Sequence, residues 1–320
     1  MNYSQRILVI RLSAFGDVAI LEPVLRSRAA ANPDVLFMLA APPMLEPLFQ
    51  GIPNLQYLPT EKRQSSSALY RHLAALKPTQ VADMHHVNRV IGTDILFSLH
   101  GVPVRHIHKH NHPGKPSWKR YDEVFDHCGL AKGDDLDALS RNYWQYSSRH
   151  KDNYRIGIAP FAQHKGKTWP LHLMEQLVKT LSQEGRYNIT LFGGCNEASV
   201  LEQWADRYPR VESVAGRLPF ADELHLIASL DVMVSMDSAN MHFASCLGVP
   251  VVSVWGATHP CRGFYGWRQN PAWAVQADMD CRPCSKYGNK PCRKGGYPCL
   301  NAITAQAVKA RIDNILGAGN

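Results

Sequence analysis

The chain of 320 residues, 45% of them hydrophobic and 19% charged, is long enough for two domains that each bury a core. No apolar run reaches the roughly 18 residues of a membrane span, and the first residues lack the basic and apolar regions of a signal peptide, so we expect a cytoplasmic protein. The formal net charge of +8 favours an acidic partner, such as a phosphorylated substrate, a nucleic acid or an anionic membrane surface.

Short apolar runs alternate with helical patterns through the first half of the chain. The pattern predicts strands at 7–12, 35–41 and 81–86, and helices at about 18–31, 65–76, 88–99 and 121–128. This βαβα rhythm predicts a parallel sheet with helices on both faces. A loop rich in charged residues and serine then extends to about residue 153.

The same rhythm restarts near residue 154. It predicts strands at 154–160, 188–194, 231–237 and 250–256, and helices at about 174–184, 196–207, 221–230, from 239, and at 303–316. We therefore predict an α/β protein of two Rossmann-like, doubly wound domains, residues 1–150 and 151–320, that face a central cleft. The last helix could pack on either domain.

One strand-to-helix junction in the second half has the features of an anion site. The strand ends near Met236, and Asp237 and Ser238 open a helix whose exposed N–H groups can hold a diphosphate, with His242 one turn further along. The alternative is that Asp237 or Ser238 merely caps the helix and that His242 is an ordinary surface histidine.

Asp17 lies at the corresponding junction in the first half, within ILVIRLSAFGDVAI (7–20). A carboxylate at the carboxyl end of a buried strand can act as a general base. Asp17 can equally be the N-cap of a helix that begins at Val18. Position alone leaves both interpretations open.

Several ordered motifs resemble the heptosyltransferase family of bacterial glycosyltransferases. They are Arg11-Leu-Ser13-Ala-Phe-Gly16-Asp17, Lys167-Thr-Trp169-Pro170, Asp237-Ser-Ala-Asn-Met-His242, Gly248-Val-Pro250 and Gly256-Ala-Thr-His-Pro260. The resemblance runs from about residue 6 to 300. It implies a GT-B fold and inverting, metal-independent transfer of a heptose-type sugar from a nucleotide diphosphate sugar, typically ADP-heptose, to a lipopolysaccharide-core acceptor.

The resemblance also implies which residues bind the donor. Lys167 would meet the diphosphate, and the start of the helix at Asp237 would hold it. Glu197 would accept bonds from the ribose hydroxyls, or would equally be a first-turn carboxylate favoured by the helix dipole. The full implied set is Lys167, Glu197, Asp237, Ser238, Ala239, His242, Gly193 and Gly194, with Ala239 standing where the family usually has glycine.

An acceptor that carries phosphates and carboxylates needs cations on the first domain. Scattered basic residues usually indicate only a solvated surface. We therefore choose the acceptor-binding residues mainly by their position in the motifs. The expected acceptor-binding residues are Ser13, Gly16, Arg11, Arg63 and Arg120, with Asp17 as the catalytic base.

Four cysteines near the end of the chain have a spacing that suits a metal ion. Cys281, Cys284, Cys292 and Cys299 form C-x2-C-x7-C-x6-C, and four thiolates at such spacing suit tetrahedral zinc. Some heptosyltransferases carry a similar segment that has no metal role in the reaction. A structural zinc and free thiols therefore both remain open, and we expect catalysis to require no cofactor.

These observations together predict a monomeric heptosyltransferase that makes peripheral contact with the inner membrane and binds no nucleic acid. One rival is another GT-B enzyme, such as a nucleotide-sugar epimerase. A second rival is a zinc-stabilised nucleic-acid-binding protein. The second explains neither the strand leading to Asp17 nor the Lys167 and Asp237 motifs, and the chain lacks interleaved aromatic and basic residues.

Overall fold

The computed structural model describes residues 3–108, 114–133 and 153–317. The chain divides into two compact units, Met1–Tyr143 and Trp144–Asn320. The domain boundary that the sequence predicts at residue 150 falls within 134–152, outside the described residues, and stays a prediction.

The first unit is built on a five-stranded parallel sheet. Its strands are β1 (Gln5–Ile10), β2 (Val35–Ala41), β3 (Leu55–Pro59), β4 (Gln80–Asp83) and β5 (Val104–His106), in the spatial order β3-β2-β1-β4-β5. Its described helices are α1 (Phe15–Ala31), α2 (Ser66–Ala74), α3 (Asn88–Leu99) and α4 (Ser117–His127), with a 3₁₀ helix at Pro43–Phe49.

The centre of this sheet is apolar because β1 and β2 are covered on both faces. Leu8, Ile10 and Met38 are almost fully buried there. Helix α1 also buries Arg28, whose guanidinium donates to the carboxylates of Asp122 at 2.9 Å and Asp126 at 2.6 Å on α4. These ion pairs join α1 to α4 and satisfy a charge that would otherwise be costly to bury.

The second unit is built on a six-stranded parallel sheet. Its strands are β6 (Tyr154–Ala159), β7 (Tyr187–Leu191), β8 (Val211–Ser213), β9 (Val232–Met236), β10 (Val251–Trp255) and β11 (Ala274–Gln276), in the order β11-β10-β9-β6-β7-β8. Its described helices are α5 (Leu171–Gln183), α6 (Ala198–Arg207), α7 (Phe220–Ala228), α8 (Ala239–Cys246), α9 (Pro298–Asn301) and α10 (Ala305–Gly317), with 3₁₀ helices at Lys165–Lys167, Pro260–Arg262 and Pro271–Trp273.

The last helix, α10, belongs to the core of the second unit. Its Val308 and Ile312 are fully buried in the cluster that also holds Trp169. Of the two placements that the sequence allowed, packing within the second unit is the one observed, because the apolar face of α10 is covered there. Within the described ranges, no helix is both long and apolar enough to cross a bilayer.

Candidate active site

Lys167 and Asp237 meet at the centre of the second sheet. Strands β6 and β9 are neighbours, and their connections leave in opposite directions, which is where open α/β sheets form a ligand crevice. The segment after β6 carries Lys167, and β9 ends one residue before Asp237. The Lys167 Nζ lies 2.9 Å from Oδ2 of Asp237, and the two side chains are 19% and 5% exposed. Two residues 70 positions apart thus form one largely buried ion pair.

Helix α8 begins beside this pair without a side-chain cap. Ser238 occupies the N-cap position, but its side chain makes no capping hydrogen bond, and its Oγ lies 3.1 Å from Oγ of Ser235. The capping interpretation is therefore wrong, because the Asp237 and Ser238 side chains bond elsewhere. His242 is buried, so the interpretation as a surface histidine is also wrong. First-turn N–H groups without a side-chain cap suit an anion.

The backbone next to Lys167 is held by packing on both sides. Trp169 is fully buried, and its Nε1 donates to the carbonyl oxygen of Ile303 at 3.2 Å. On the other side, the carbonyl oxygen of Gly166 accepts from the N–H of Ala257 at 2.8 Å. The segment that carries Lys167 is therefore fixed at two points within four residues.

The cysteine-rich segment also supports Lys167, a role that the sequence motifs did not indicate. Gly288 has a φ of +74°, and a Cβ at this position would lie 2.5 Å from Cγ of Lys167. Arg282 donates to the carbonyl oxygens of Gly256 at 2.6 Å and Thr258 at 3.0 Å. These contacts place the segment after β11 against both Lys167 and the loop after β10.

Glu197 folds back onto the turn after β7. It is the N-cap residue of α6, and its Oε2 accepts from the N–H of Gly194 at 2.8 Å. A Cβ on Gly193 would lie 2.9 Å from the same oxygen. The turn therefore needs glycine for a close approach, and the ribose contact of Glu197 stays a prediction.

Asp17 in the first unit is not an N-cap. Helix α1 begins at Phe15 with Ala14 as its cap residue, so Asp17 lies in the first turn. Its Oδ2 accepts from Nη2 of Arg11 at 2.6 Å, and its side chain is 23% exposed. The capping interpretation fails because the carboxylate pairs with Arg11, which is buried and requires a counter-charge.

Arg11 is enclosed by groups that keep it charged. Its guanidinium lies 5.7 Å from the centre of the Tyr121 ring and also donates to the carbonyl oxygen of Met84. Burial acts to lower the pKa of Arg11, but Tyr121, Asp17 and Asp83 together raise it above its ordinary value. Arg11 therefore stays cationic beside Asp17.

The other predicted acceptor residues are spread over the first unit. The Arg120 guanidinium donates to the carbonyl oxygen of Lys115 at 2.8 Å, and its charge acts on Tyr121. Gly16 lies in the first turn of α1, whereas Arg63 is exposed in the segment before α2. Arg11 and Asp17 are thus in direct contact, and Arg120 is linked to them through Tyr121. Arg63 takes no part in these contacts.

The turn after β4 adds residues that sequence reasoning missed. The Asp83 carboxylate accepts from the N–H groups of His85 at 2.7 Å and His86 at 2.8 Å. The Nε2 of His85 then lies 3.1 Å from Oγ of Ser13. On α3, burial together with the charge and hydrogen bond of Asp83 raises the pKa of Asp94 to about 9. The sequence signal available for this turn was Asp83 itself, a carboxylate at the end of a buried strand.

Three potential metal ligands meet at this turn. Within the described residues, Asp83, His86 and Asp94 each offer one ligand atom, and these three atoms lie within 4.8 Å of one another.

The four cysteines do not form a group of that kind within the described residues. Burial raises the pKa of Cys299, Arg282 acts to lower it, and the nearby thiols of Cys284 and Cys281 raise it further. Three of the four thiols therefore share one neighbourhood, and the metal site that their spacing suggested stays a prediction.

The sequence of residues 65–294 matches the profile of glycosyltransferase family 9 (heptosyltransferase). The chain belongs to this family. Lipooligosaccharide heptosyltransferase 2 of Haemophilus influenzae is 29% identical over 111 residues, which cover 33% of this chain and 32% of that protein. The aligned segment thus spans about a third of the length of this curated relative.

Solved structures of this family share the fold of the chain. The structure of the E. coli ADP-heptose lipopolysaccharide heptosyltransferase II has a TM-score of 0.71 at 18% identity and covers 98% of this chain and 99% of that one. The E. coli heptosyltransferase WaaC with ADP has a TM-score of 0.72 at 21% identity and covers 97% and 99%. The predicted GT-B fold is confirmed.

Proposed function

We propose that this family 9 chain is an inverting heptosyltransferase that uses ADP-heptose as donor and a lipopolysaccharide-core acceptor. The observation that carries the proposal is the Lys167–Asp237 pair beside the uncapped start of α8. A lysine and free helix N–H groups are suited to bind a diphosphate. The names of the Haemophilus relative and of the E. coli enzyme with ADP support the choice of sugar and nucleotide.

In the proposed donor complex, charge on the leaving group is stabilised by the protein. The Asp237 carboxylate orients Lys167, while the N–H groups at Ser238 and Ala239 contact phosphate oxygens and His242 lies beside them. Departure of ADP develops negative charge, which a fixed ammonium and helix N–H groups stabilise. This arrangement needs no metal ion for the chemical step, and Glu197 accepts bonds from the ribose hydroxyls.

In the proposed chemical step, Asp17 takes the proton of the acceptor hydroxyl. Arg11 contacts Oδ2 and holds the carboxylate in one orientation, so that Oδ1 can accept the proton. The acceptor oxygen forms a bond to the anomeric carbon on the face opposite the diphosphate. The bond to the diphosphate breaks, its electron pair leaves with ADP, and the anomeric configuration inverts.

The first domain would bind the anionic acceptor through its basic residues. Arg11 and Arg120 would contact phosphate or carboxylate groups, Arg63 would add a more exposed charge, and Ser13 and Gly16 would contribute from the loop after β1. An acceptor of this class is anchored in a membrane. We therefore propose that the protein is a cytoplasmic monomer that binds peripherally to the surface of the inner membrane.

Product formation tests this function. The protein is incubated with ADP-heptose and a core acceptor that lacks the next heptose, and both products are followed by mass spectrometry and nucleotide chromatography. We expect the acceptor to gain one heptose for each ADP released, while UDP-sugars and GDP-sugars react far more slowly. Conversion of the donor sugar to an epimer without any change in the acceptor would instead support the epimerase alternative.

A further inference from the structure

Three side chains of the kinds that bind metal ions converge at the carboxyl end of β4 and have no part in the proposed transfer. Asp83 ends β4, His86 follows it in the turn, and Asp94 lies on α3. His86 has a φ of +44°, and its Nδ1 lies 3.4 Å from Oδ2 of Asp83. One oxygen or nitrogen from each residue lies within 4.8 Å of the other two.

The two carboxyl groups of this cluster are buried beside each other. Asp83 is 0% and Asp94 is 8% exposed. Burying two adjacent carboxyl groups is costly unless hydrogen-bond donors or a cation compensate. The N–H groups of His85 and His86 donate to Asp83, and Arg11 acts on Asp83 but already forms the ion pair with Asp17. A cation bound between the two carboxyl groups would offset the remaining cost.

Asp94 provides an independent indication of a ligand. Its Oδ1 is buried and has no hydrogen-bond partner among the described residues. A buried acceptor that finds no donor is unfavourable by about 1–3 kcal/mol. A shared proton satisfies the hydrogen bond between Asp94 and Asp83 but leaves this second oxygen unsatisfied, whereas a metal ion would engage it.

We propose that Asp83, Asp94 and His86 bind one first-row divalent cation, of which Mn²⁺ and Zn²⁺ are the candidates. Two carboxylate oxygens and one imidazole nitrogen suit these ions, whereas Mg²⁺ and Ca²⁺ prefer ligand sets made of oxygen alone. The His86 side chain is 32% exposed, which gives the ion a path from solvent. His106 stacks on the His86 ring at 4.3 Å and would hold it in place.

The role of this cation is structural. By binding Asp83 and His86, the ion fixes the turn whose Met84 carbonyl oxygen accepts from Arg11 and whose His85 contacts Ser13. The site stands on the geometry of the first unit and does not depend on which sugar or nucleotide the enzyme uses. Absence of the metal site would therefore not count against the proposed function, and absence of heptose transfer would not count against the metal site.

Manganese is the probe that separates this site from the cysteines, because thiolate ligands favour softer ions. Chelator-treated protein is titrated with MnCl₂, and free Mn²⁺ is counted by electron paramagnetic resonance while the melting temperature is recorded. We expect one Mn²⁺ per chain and a higher melting temperature. Asp94→Asn and His86→Asn should each weaken binding at least tenfold, and asparagine tolerates the positive φ at residue 86.

A double variant that removes only thiols serves as the control. Cys281→Ser with Cys284→Ser leaves Asp83, His86 and Asp94 unchanged. It should bind Mn²⁺ within about threefold of the parent protein. The proposal is overturned if no saturable Mn²⁺ or Zn²⁺ binding occurs, or if folded Asp94→Asn binds as well as the parent. It is also overturned if Asp94→Asn melts at a higher temperature and no metal binds, because the pair then holds a proton.

Discussion

The two regions that carry the predicted site residues are positioned in different ways. In the second unit, Lys167 is held by close packing against Gly288 and by the fully buried Trp169 two residues later. In the first unit, Asp17 is held by charge, because its carboxylate accepts from Arg11 at 2.6 Å. Packing thus fixes the backbone that carries Lys167, whereas an ion pair fixes the side chain of Asp17.

This difference has a chemical rationale under the proposed function. A diphosphate is a large, fixed anion, and a rigid backbone frame with one lysine binds it well. A base must exchange a proton, and a carboxylate held by a cation can do so without a change in packing. We therefore expect the second region to be sensitive to added volume and the first to be sensitive to a lost charge.

The largest effect is expected where charge is removed without a change in volume. Asp17→Asn should lower turnover by about 10² to 10⁴ with donor and acceptor saturating, because the acceptor hydroxyl loses its base. Single-turnover transfer of heptose, followed by mass spectrometry, measures this. Turnover within a few-fold of the parent would remove Asp17 from the mechanism.

Arg11→Met separates the base from the ion pair. It breaks the same pair as Asp17→Asn but leaves the carboxylate in place. We expect the KM for the acceptor to rise while kcat falls less than about tenfold, since the base is still present. If both variants lose the same kcat, the ion pair and not the base carries the effect.

A smaller effect is expected where volume is added without a change in charge. Gly288→Ala places a Cβ 2.5 Å from Cγ of Lys167. It should lower the free energy of unfolding by about 1–2 kcal/mol for the left-handed backbone and by about 1–3 kcal/mol more for the clash. Urea unfolding measures the total loss in the free energy of unfolding. The affinity for ADP, measured by calorimetry, should fall in parallel.

Gly295→Ala is the matched control for that substitution. Gly295 has a φ of +71°, and a Cβ there meets nothing within 4 Å. Only the backbone penalty should appear, with no change in ADP affinity. Equal losses of stability in the two variants would show that the contact of Gly288 with Lys167 carries no energy.

The smallest effect concerns Glu197. If its carboxylate accepts from the ribose hydroxyls, Glu197→Ala should weaken ADP binding by about 1 kcal/mol, or roughly fivefold. Binding of 2′,3′-dideoxy-ADP should then be equally weak for parent and variant. The same loss for both nucleotides would assign Glu197 to holding the Gly193-Gly194 turn alone.

The sequence predicted the interior of each sheet but not its edges. Strands β1, β2, β4, β6, β7, β9 and β10 match apolar runs in the sequence, because they are covered on both faces. The missed strands are β3, β5, β8 and β11, and each lies at the edge of its sheet. Their residues are only partly buried, so they show neither a continuous apolar run nor a strict alternation.

The motifs identified the second region better than the first. Lys167 and Asp237 were both assigned to one diphosphate from the resemblance, and the two side chains do meet. The pairing of Asp17 with Arg11 was not foreseen, because helix α1 begins three residues earlier than the apolar pattern indicates. The contact of His85 with Ser13 joins residues 72 positions apart, and no local pattern encodes the pairing of β1 with β4.

Calorimetric titration of ADP into Lys167→Met and Asp17→Asn, beside the parent protein, tests most directly whether the two regions have separate roles. We expect Lys167→Met to weaken ADP binding by about 1.5–3 kcal/mol, or roughly 10- to 150-fold, because a charge-assisted contact is lost. Asp17→Asn should bind ADP within about twofold of the parent, since its role lies in the transfer step alone. Unchanged ADP affinity in Lys167→Met, or an equal loss in both variants, would show that the two regions do not have separate roles.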